Sequence, residues 1–336
     1  MSENKVYTRP YRSLFWPVLL IGIGVIWLLS NLKLIPTENL WILLRLWPVL
    51  IIVAGLDVLF ARRFVLIGAL LGLLMIAGVV YILLSGEGLG VEPAPQPRTE
   101  SFSVQMDNTT RAEFQVELSI QSASIRALDG SDQLVVAEIG HLGDIVFTVT
   151  GAEEKTINLR QTGIGPWFGW LIPTIDKEDL VWEIGLSPDV PFDLMVDAST
   201  GKSELDLSGI QLDEFQFDAS TGASTIILPE STVGYETRID ASTGSLEVVL
   251  PAESNLTVYL DGSTGRVVFD VPKSAEIRIE VLSGGTGDLR TPSWISKVSG
   301  AENRDEGVYQ SEGFDSAAYQ LVIIIEDIST GNIVFQ

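Results

Sequence analysis

Five residues return at a nearly fixed interval through the C-terminal half of the chain. Asp197-Ala198-Ser199-Thr200-Gly201 recurs as Asp218–Gly222, as Asp240–Gly244 and as Asp261-Gly262-Ser263-Thr264-Gly265. A degenerate copy ends on Gly287, and Asp327-Ile328-Ser329-Thr330-Gly331 closes the series. The glycines stand 21, 22, 21, 22 and then 44 residues apart, the last gap being two periods. A period in this range marks a solenoid, because one unit of this size cannot bury an apolar face and must stack on copies of itself. Function is therefore to be sought on a stacked scaffold before a catalytic cleft.

Each unit repeats one plan. A short alternating strand enters the Asp-x-Ser-Thr-Gly stretch, read as a turn, and a second strand leaves it. Tyr235–Ile239 enters one copy and Leu246–Leu250 leaves it. Pro229, Pro251 and Pro272 end the outgoing strands at matching places, since proline cannot donate to a ladder. Glycine is expected to supply a positive φ at the turn. Tyr319–Ile325, the most apolar strand, is expected to close or cap the stack.

The two ends of the chain differ in charge. Residues 1–99 carry a net +3 and residues 100–336 a net −26, within a total of −23. The acidic part would repel phosphates, which argues against nucleic acid as a partner. It suits a cationic ligand, or simply solubility. With no cysteine, disulfides and thiolate chemistry are excluded. His141 is the one histidine, so no metal site of two or three histidines exists within the chain.

Three apolar runs, Leu14–Leu32, Leu40–Phe60 and Phe64–Leu84, are each near the roughly 20 residues a span needs. Trp16-Pro17-Val18-Leu19 recurs as Trp47-Pro48-Val49-Leu50, with proline placed for a first helical turn. Gly22, Gly24, Gly68, Gly72 and Gly78 would allow close helix approach. Lys5, Arg9, Arg12, Arg62 and Arg63 place the N-terminus and the second turn in the cytoplasm, and everything after the third run outside the membrane. The expected organisation is a cytoplasmic tail (1–13), three transmembrane helices (14–85) and a Gly/Pro linker (86–100). An N-terminal β region (101–190) and a repeat β-solenoid (191–336) follow.

Little here invites catalysis. Asp197, Asp218, Asp240 and Asp261, stacked about 4.8 Å apart, would repel one another. Either each accepts hydrogen bonds from its own Ser-Thr-Gly, or a cation such as Ca²⁺ offsets the charge. Ser199 or Ser220 as nucleophile would have only His141 as base. No enzyme activity and no cofactor are expected. Trp167, Phe168 and Trp170, in a Pro-bounded aromatic stretch, form a candidate contact loop that could meet the bilayer, a partner or the end of the stack.

The paired Trp-Pro-Val-Leu helices resemble the LiaI/LiaF-like transmembrane region of bacterial envelope proteins. Glu153–Leu159, Trp182–Pro188 and the Asp-x-Ser-Thr-Gly repeats are similar to the toast-rack β domain that accompanies it. The resemblance covers nearly the whole chain. It implies a non-enzymatic response protein for cell-wall-active antibiotics, with the lipid bilayer as one partner. Better-understood members of the family restrain a membrane histidine kinase that senses envelope damage, which makes such a kinase the implied second partner. The other reading is a structural or adhesive module that binds wall polymer, a lipid surface or its own copies as a homo-oligomer.

Overall fold

The computed structural model describes residues 14–35, 43, 46–60, 65–85, 97–118, 122–162, 180–262, 264–301, 304–327 and 330–336. The chain divides into two compact units, Met1–Gln96 and Pro97–Gln336.

The first unit contains helices α1 (Phe15–Asn31), α2 (Trp47–Phe60) and α3 (Val65–Ser85). Among the described residues only Gly68–Ser85, within α3, is long and apolar enough to cross a membrane; α1 and α2 are shorter apolar helices. The expectation of three transmembrane helices reaches beyond the described residues, which stop short of most of the N-terminal part of the second run and of the turn before α3. Helix α2 begins at Trp47, with Pro48 in its first turn, where a missing N–H costs nothing. At about 1.5 Å per residue the 14 residues of α2 reach only some 21 Å. Glycine brings α1 and α3 together at two points. A Cβ on Gly22 would lie 2.3 Å from Ile76 Cδ1, and one on Gly72 would lie 3.1 Å from Val18 Cγ1. Gly24 and Gly78 face open space instead.

The second unit is all-β, with eighteen strands among the described residues. Three of them, β8 (Phe192–Asp206), β9 (Leu212–Ile227) and β10 (Tyr235–Val249), are 15 or 16 residues long and belong to two ladders at once. Their first halves join a ladder that runs β5 (Asp144–Gly151), β6 (Glu154–Thr162), β2 (Arg111–Leu118), β8, β9, β10, β11 (Leu256–Gly262) and β17 (Leu321–Asp327). It continues through β13 (Ile277–Val281) and β16 (Gly307–Ser311) to β15 (Ile295–Ser299). Their second halves join a ladder of β1 (Arg98–Gln105), β4 (Gln133–His141), β7 (Val181–Leu186), β3 (Ser122–Ala127), β8, β9, β10, β12 (Arg266–Asp270), β18 (Asn332–Phe335) and β14 (Asp288–Arg290). Pairing is parallel through the middle of both ladders.

The repeated stretch, read as a turn, is where each long strand passes from one ladder to the other. Asp197–Gly201, Asp218–Gly222 and Asp240–Gly244 lie within β8, β9 and β10, where parallel pairing runs up to the alanine, passes over Ser199, Ser220 and Ser242, and resumes at the threonine. What changes there is the parity of burial. In β9, Phe215 and Phe217 point inward before the stretch, and Ser224 and Ile226 after it. A one-residue change of phase sends the other set of side chains to a given face. Both halves of each long strand therefore feed one core. That core includes fully buried Phe114, Trp182, Phe192, Phe215, Phe217 and Phe269. The residue before each proline makes the last ladder hydrogen bond, as in Leu228 N to Val249 O at 3.1 Å and Leu250 N to Asp270 O at 3.0 Å.

A second correction concerns β17. It does not cap the ladder but lies between β11 and β13, placing Asp327 opposite Asp261. The chain leaves β11 and β12, passes one position over to β13, and returns through β15 and β16 to fill the gap. Gly331 is thus two periods from Gly287 in sequence yet one rung from Gly265 in space, where Asn332 N donates to Gly265 O at 3.0 Å.

Lys155 shows how strictly alternation governs β6. It shares the inward parity of Ile157 and Leu159 and is 8% exposed. Its ammonium donates to Gln105 O at 2.6 Å and to Asp107 Oδ2 at 3.0 Å. Lys155→Ala removes the aliphatic packing and orphans a carbonyl, an expected loss of about 1–3 kcal/mol in denaturant unfolding. Lys155→Met, which keeps the stem, should lose less.

Candidate functional site: an acidic row across the ladder

Parallel register brings the repeated aspartates into one line. Asp197 stands opposite Asp218, Asp218 opposite Asp240, Asp240 opposite Asp261, and Asp261 opposite Asp327. Glu117 extends the line on β2. Neighbouring members are one strand spacing apart, about 4.8 Å. Partial burial by the neighbouring rungs raises the Asp240 carboxyl above its ordinary pKa, and the like charges of Asp261 and then Asp218 add to it. Asp197 is raised for the same reasons, first burial, then Asp218 and Glu117. Gln216 Nε2 donates to Asp218 at 3.1 Å, and Ser283 Oγ to Asp327 at 3.1 Å.

The outward face also carries ion pairs. Arg111 makes a two-point contact with Asp193, Nε at 3.0 Å and Nη2 at 2.8 Å, and lies 3.4 Å from Asp213. The hydrogen bond to Asp193, and then its charge, hold the guanidinium above its ordinary pKa. Arg238 donates to Glu214 at 2.7 Å and Glu236 at 3.2 Å, with its guanidinium 5.0 Å from the Tyr259 ring centre.

The raised carboxyls give a pH prediction. An aspartate whose folded pKa lies above its unfolded value of about 3.9 binds its proton more tightly when folded. Its stabilising contribution is full below about pH 3.9 and is lost as pH rises through the folded value. Asp240→Asn should therefore raise the melting temperature at pH 7. The advantage should vanish near pH 3.5, as thermal unfolding at the two pH values would show.

The glycine column behind the row has a cause that sequence reasoning assigned wrongly. Gly201, Gly222 and Gly265 do not have positive φ, and the φ of 159° at Gly244 is nearly extended. The constraint is close approach between rungs. A Cβ on Gly222 would sit 2.3 Å from Gly201 O, on Gly244 2.4 Å from Gly222 O, and on Gly265 2.5 Å from Gly244 O.

Other sequence candidates fall elsewhere. Trp167, Phe168 and Trp170 lie outside the described residues. Gly287 and Gly331 adjoin β14 and β18, where Asp288 N donates to Gly331 O at 3.3 Å. His141 ends β4 and is 1% exposed. Its Nδ1 is 2.7 Å from Gly143 O and its Nε2 is 3.4 Å from Glu100, so neither nitrogen addresses a seryl hydroxyl. Among the described residues no group of three or more His, Asp or Glu side chains is placed to hold a metal ion. Sequence reasoning missed the Arg111–Asp193 pair and the buried Lys155, although the inward parity of Lys155 was visible in the alternation of β6.

Comparison with known proteins gives two family matches. Residues 14–59 match the LiaI-LiaF-like transmembrane region. Residues 93–249 match the N-terminal domain of toast_rack, DUF2154. No curated protein matches. Among solved structures, a candidate cell adhesion protein from Clostridium sporogenes ATCC 15579 is 15% identical, with a TM-score of 0.46, covering 71% of this chain and 99% of its own. A candidate adhesin from Bacteroides fragilis NCTC 9343 is 9% identical, with a TM-score of 0.25, covering 74% of this chain and 100% of its own. Both scores are too low for anything to be carried over from those proteins. A LiaI-LiaF-like transmembrane region and a toast_rack N-terminal domain are thus matched in sequence along one chain, the combination expected of the LiaF-like toast-rack family that the chain resembles.

Proposed function

We propose that this chain is a non-enzymatic, multi-pass envelope protein that modulates a membrane histidine kinase sensing envelope stress. The carrying observation is the pairing of a LiaI-LiaF-like membrane region with a toast-rack β domain in one chain. In this reading the three apolar helices anchor the protein, with the N-terminus in the cytoplasm and the β domain outside, as the Lys and Arg distribution favours. The β domain is a stack of 21–22-residue rungs, supported by the parallel register that sets like residues of successive copies side by side. Such a stack offers a long, regular outer surface, which suits a contact scaffold.

The test is a crosslinked pull-down of the full-length protein from its native membrane, with and without a wall-active antibiotic. The proposal expects a histidine kinase to be recovered, in an amount that changes with the drug. Recovery of wall polymer or lipid with no kinase in either condition would sink it in favour of a structural or adhesive role.

A further inference from the structure

Among the described residues four strands have a single ladder partner: β1, β5, β14 and β15. An exposed edge presents unpaired N–H and C=O groups and invites another chain, so edges are normally blunted by charge, shortness or irregularity. Three of the four are. β1 carries Arg98 and Glu100, and its register shifts at Val104/Gln105. β14 has three residues, with Asp288 and Arg290 at its ends. β15 carries Lys297 and a register shift beside it.

β5 has none of these devices. It runs eight residues, Asp-Ile-Val-Phe-Thr-Val-Thr-Gly, with unbroken register against β6. Its one charge is at the first residue. Ile145 and Phe147 pack on the core, Phe147 with its ring 4.9 Å from that of Phe102. Both remain only half-buried, and Val149 is 40% exposed. The apolar column therefore continues up to this edge without being closed off.

We infer that β5 is a homotypic interface, where the same strand of a second copy pairs antiparallel across a two-fold axis at Phe147. The distribution of charge selects this occupant. Pairing about Phe147 sets Ile145 opposite Val149, Val146 opposite Thr148 and Asp144 opposite Thr150. The contacts are β-branched and aromatic pairs, which favour sheet pairing, and no like charges face each other. The two Asp144 carboxylates end up about 20 Å apart, six residue rises along the strand. Elsewhere on a surface this acidic, two copies would repel; the uncharged stretch from Ile145 to Thr150 is where they can meet. An isologous contact of this kind closes on itself as a dimer and uses the edge up.

The absence of cysteine makes the test direct. Single-cysteine variants from Asp144→Cys to Gly151→Cys, in the full-length protein in its membrane, are oxidised and the dimer fraction is read on a non-reducing gel. The inference expects a maximum at Phe147→Cys, the position that faces its own copy, falling several-fold at Val146→Cys and Thr148→Cys and further toward both ends, with none at a control such as Glu204→Cys. Adding Val146→Lys and Thr148→Lys to Phe147→Cys sets lysine opposite lysine and should lower the dimer about tenfold. Unchanged far-UV circular dichroism and melting temperature would show that the domain still folds. No dimer at any β5 position, a flat profile that includes the control, or cross-links only to a different protein would each overturn the inference.

Discussion

Trp182→Ala destabilises the β domain by about 3–5 kcal/mol, the range for truncating a large buried aromatic side chain. Trp182 is fully buried on β7 within the single continuous core. Its indole Nε1 donates to Gly140 O at 3.1 Å. Packing outweighs the hydrogen bond here. Trp182→Phe, which gives up the bond but keeps most of the ring, should lose the smaller part, about 1–2 kcal/mol for the orphaned carbonyl plus a residual void. Guanidinium unfolding of the full-length protein in detergent, followed by its sheet signal, separates the two. Equal losses for Ala and Phe would show that the indole does not fill the core as described.

Gly222→Ala and Gly262→Ala should move stability in opposite directions, although they lie in equivalent rungs. At Gly222 the new methyl would meet Gly201 O at 2.3 Å, and that oxygen belongs to a ladder that cannot yield. The expected cost is about 1–3 kcal/mol, as for other overpacked sites. At Gly262 the nearest atom to a new Cβ is Asp327 O at 3.6 Å, an ordinary contact. Three other copies carry Ala198, Ala219 and Ala241 at that position. Gly262→Ala should therefore be neutral or stabilising by about 0.4–1 kcal/mol, because it reduces the freedom of the unfolded chain. Melting temperatures of the two variants against the parent decide the matter. If both are neutral, glycine is not required by approach between rungs.

These two glycines also show what the sequence could carry. The 21–22-residue period, the closing glycines and the strand-ending prolines were all legible, because each repeats a local pattern. The reason for the glycines was not, since the clashing oxygen lies a full rung away and its approach depends on register. Insertion of β17 between β11 and β13 was hidden for the same reason: Val322 meets Thr257 only through a pairing 65 residues long in sequence. Apolar composition revealed the three membrane-type helices, because a long uncharged run is itself a local pattern. The acidic row was foreseen as a stack of like charges. Its extension to Asp327 next to Asp261, rather than at the far end, needed the topology.

The rung order, on which the acidic row and its continuity depend, is tested by paired cysteines in this cysteine-free chain. Thr257 and Val322 are register partners, whereas Arg278 is the partner of Val322 on its other side and lies two strand spacings from Thr257. A disulfide needs Cα atoms within about 7 Å, which one spacing of roughly 4.8 Å satisfies and two do not. Thr257→Cys with Val322→Cys should close an intramolecular disulfide on mild oxidation, and Thr257→Cys with Arg278→Cys should not. The reverse result would mean that the rungs stack in sequence order, and the ladder described here would be wrong.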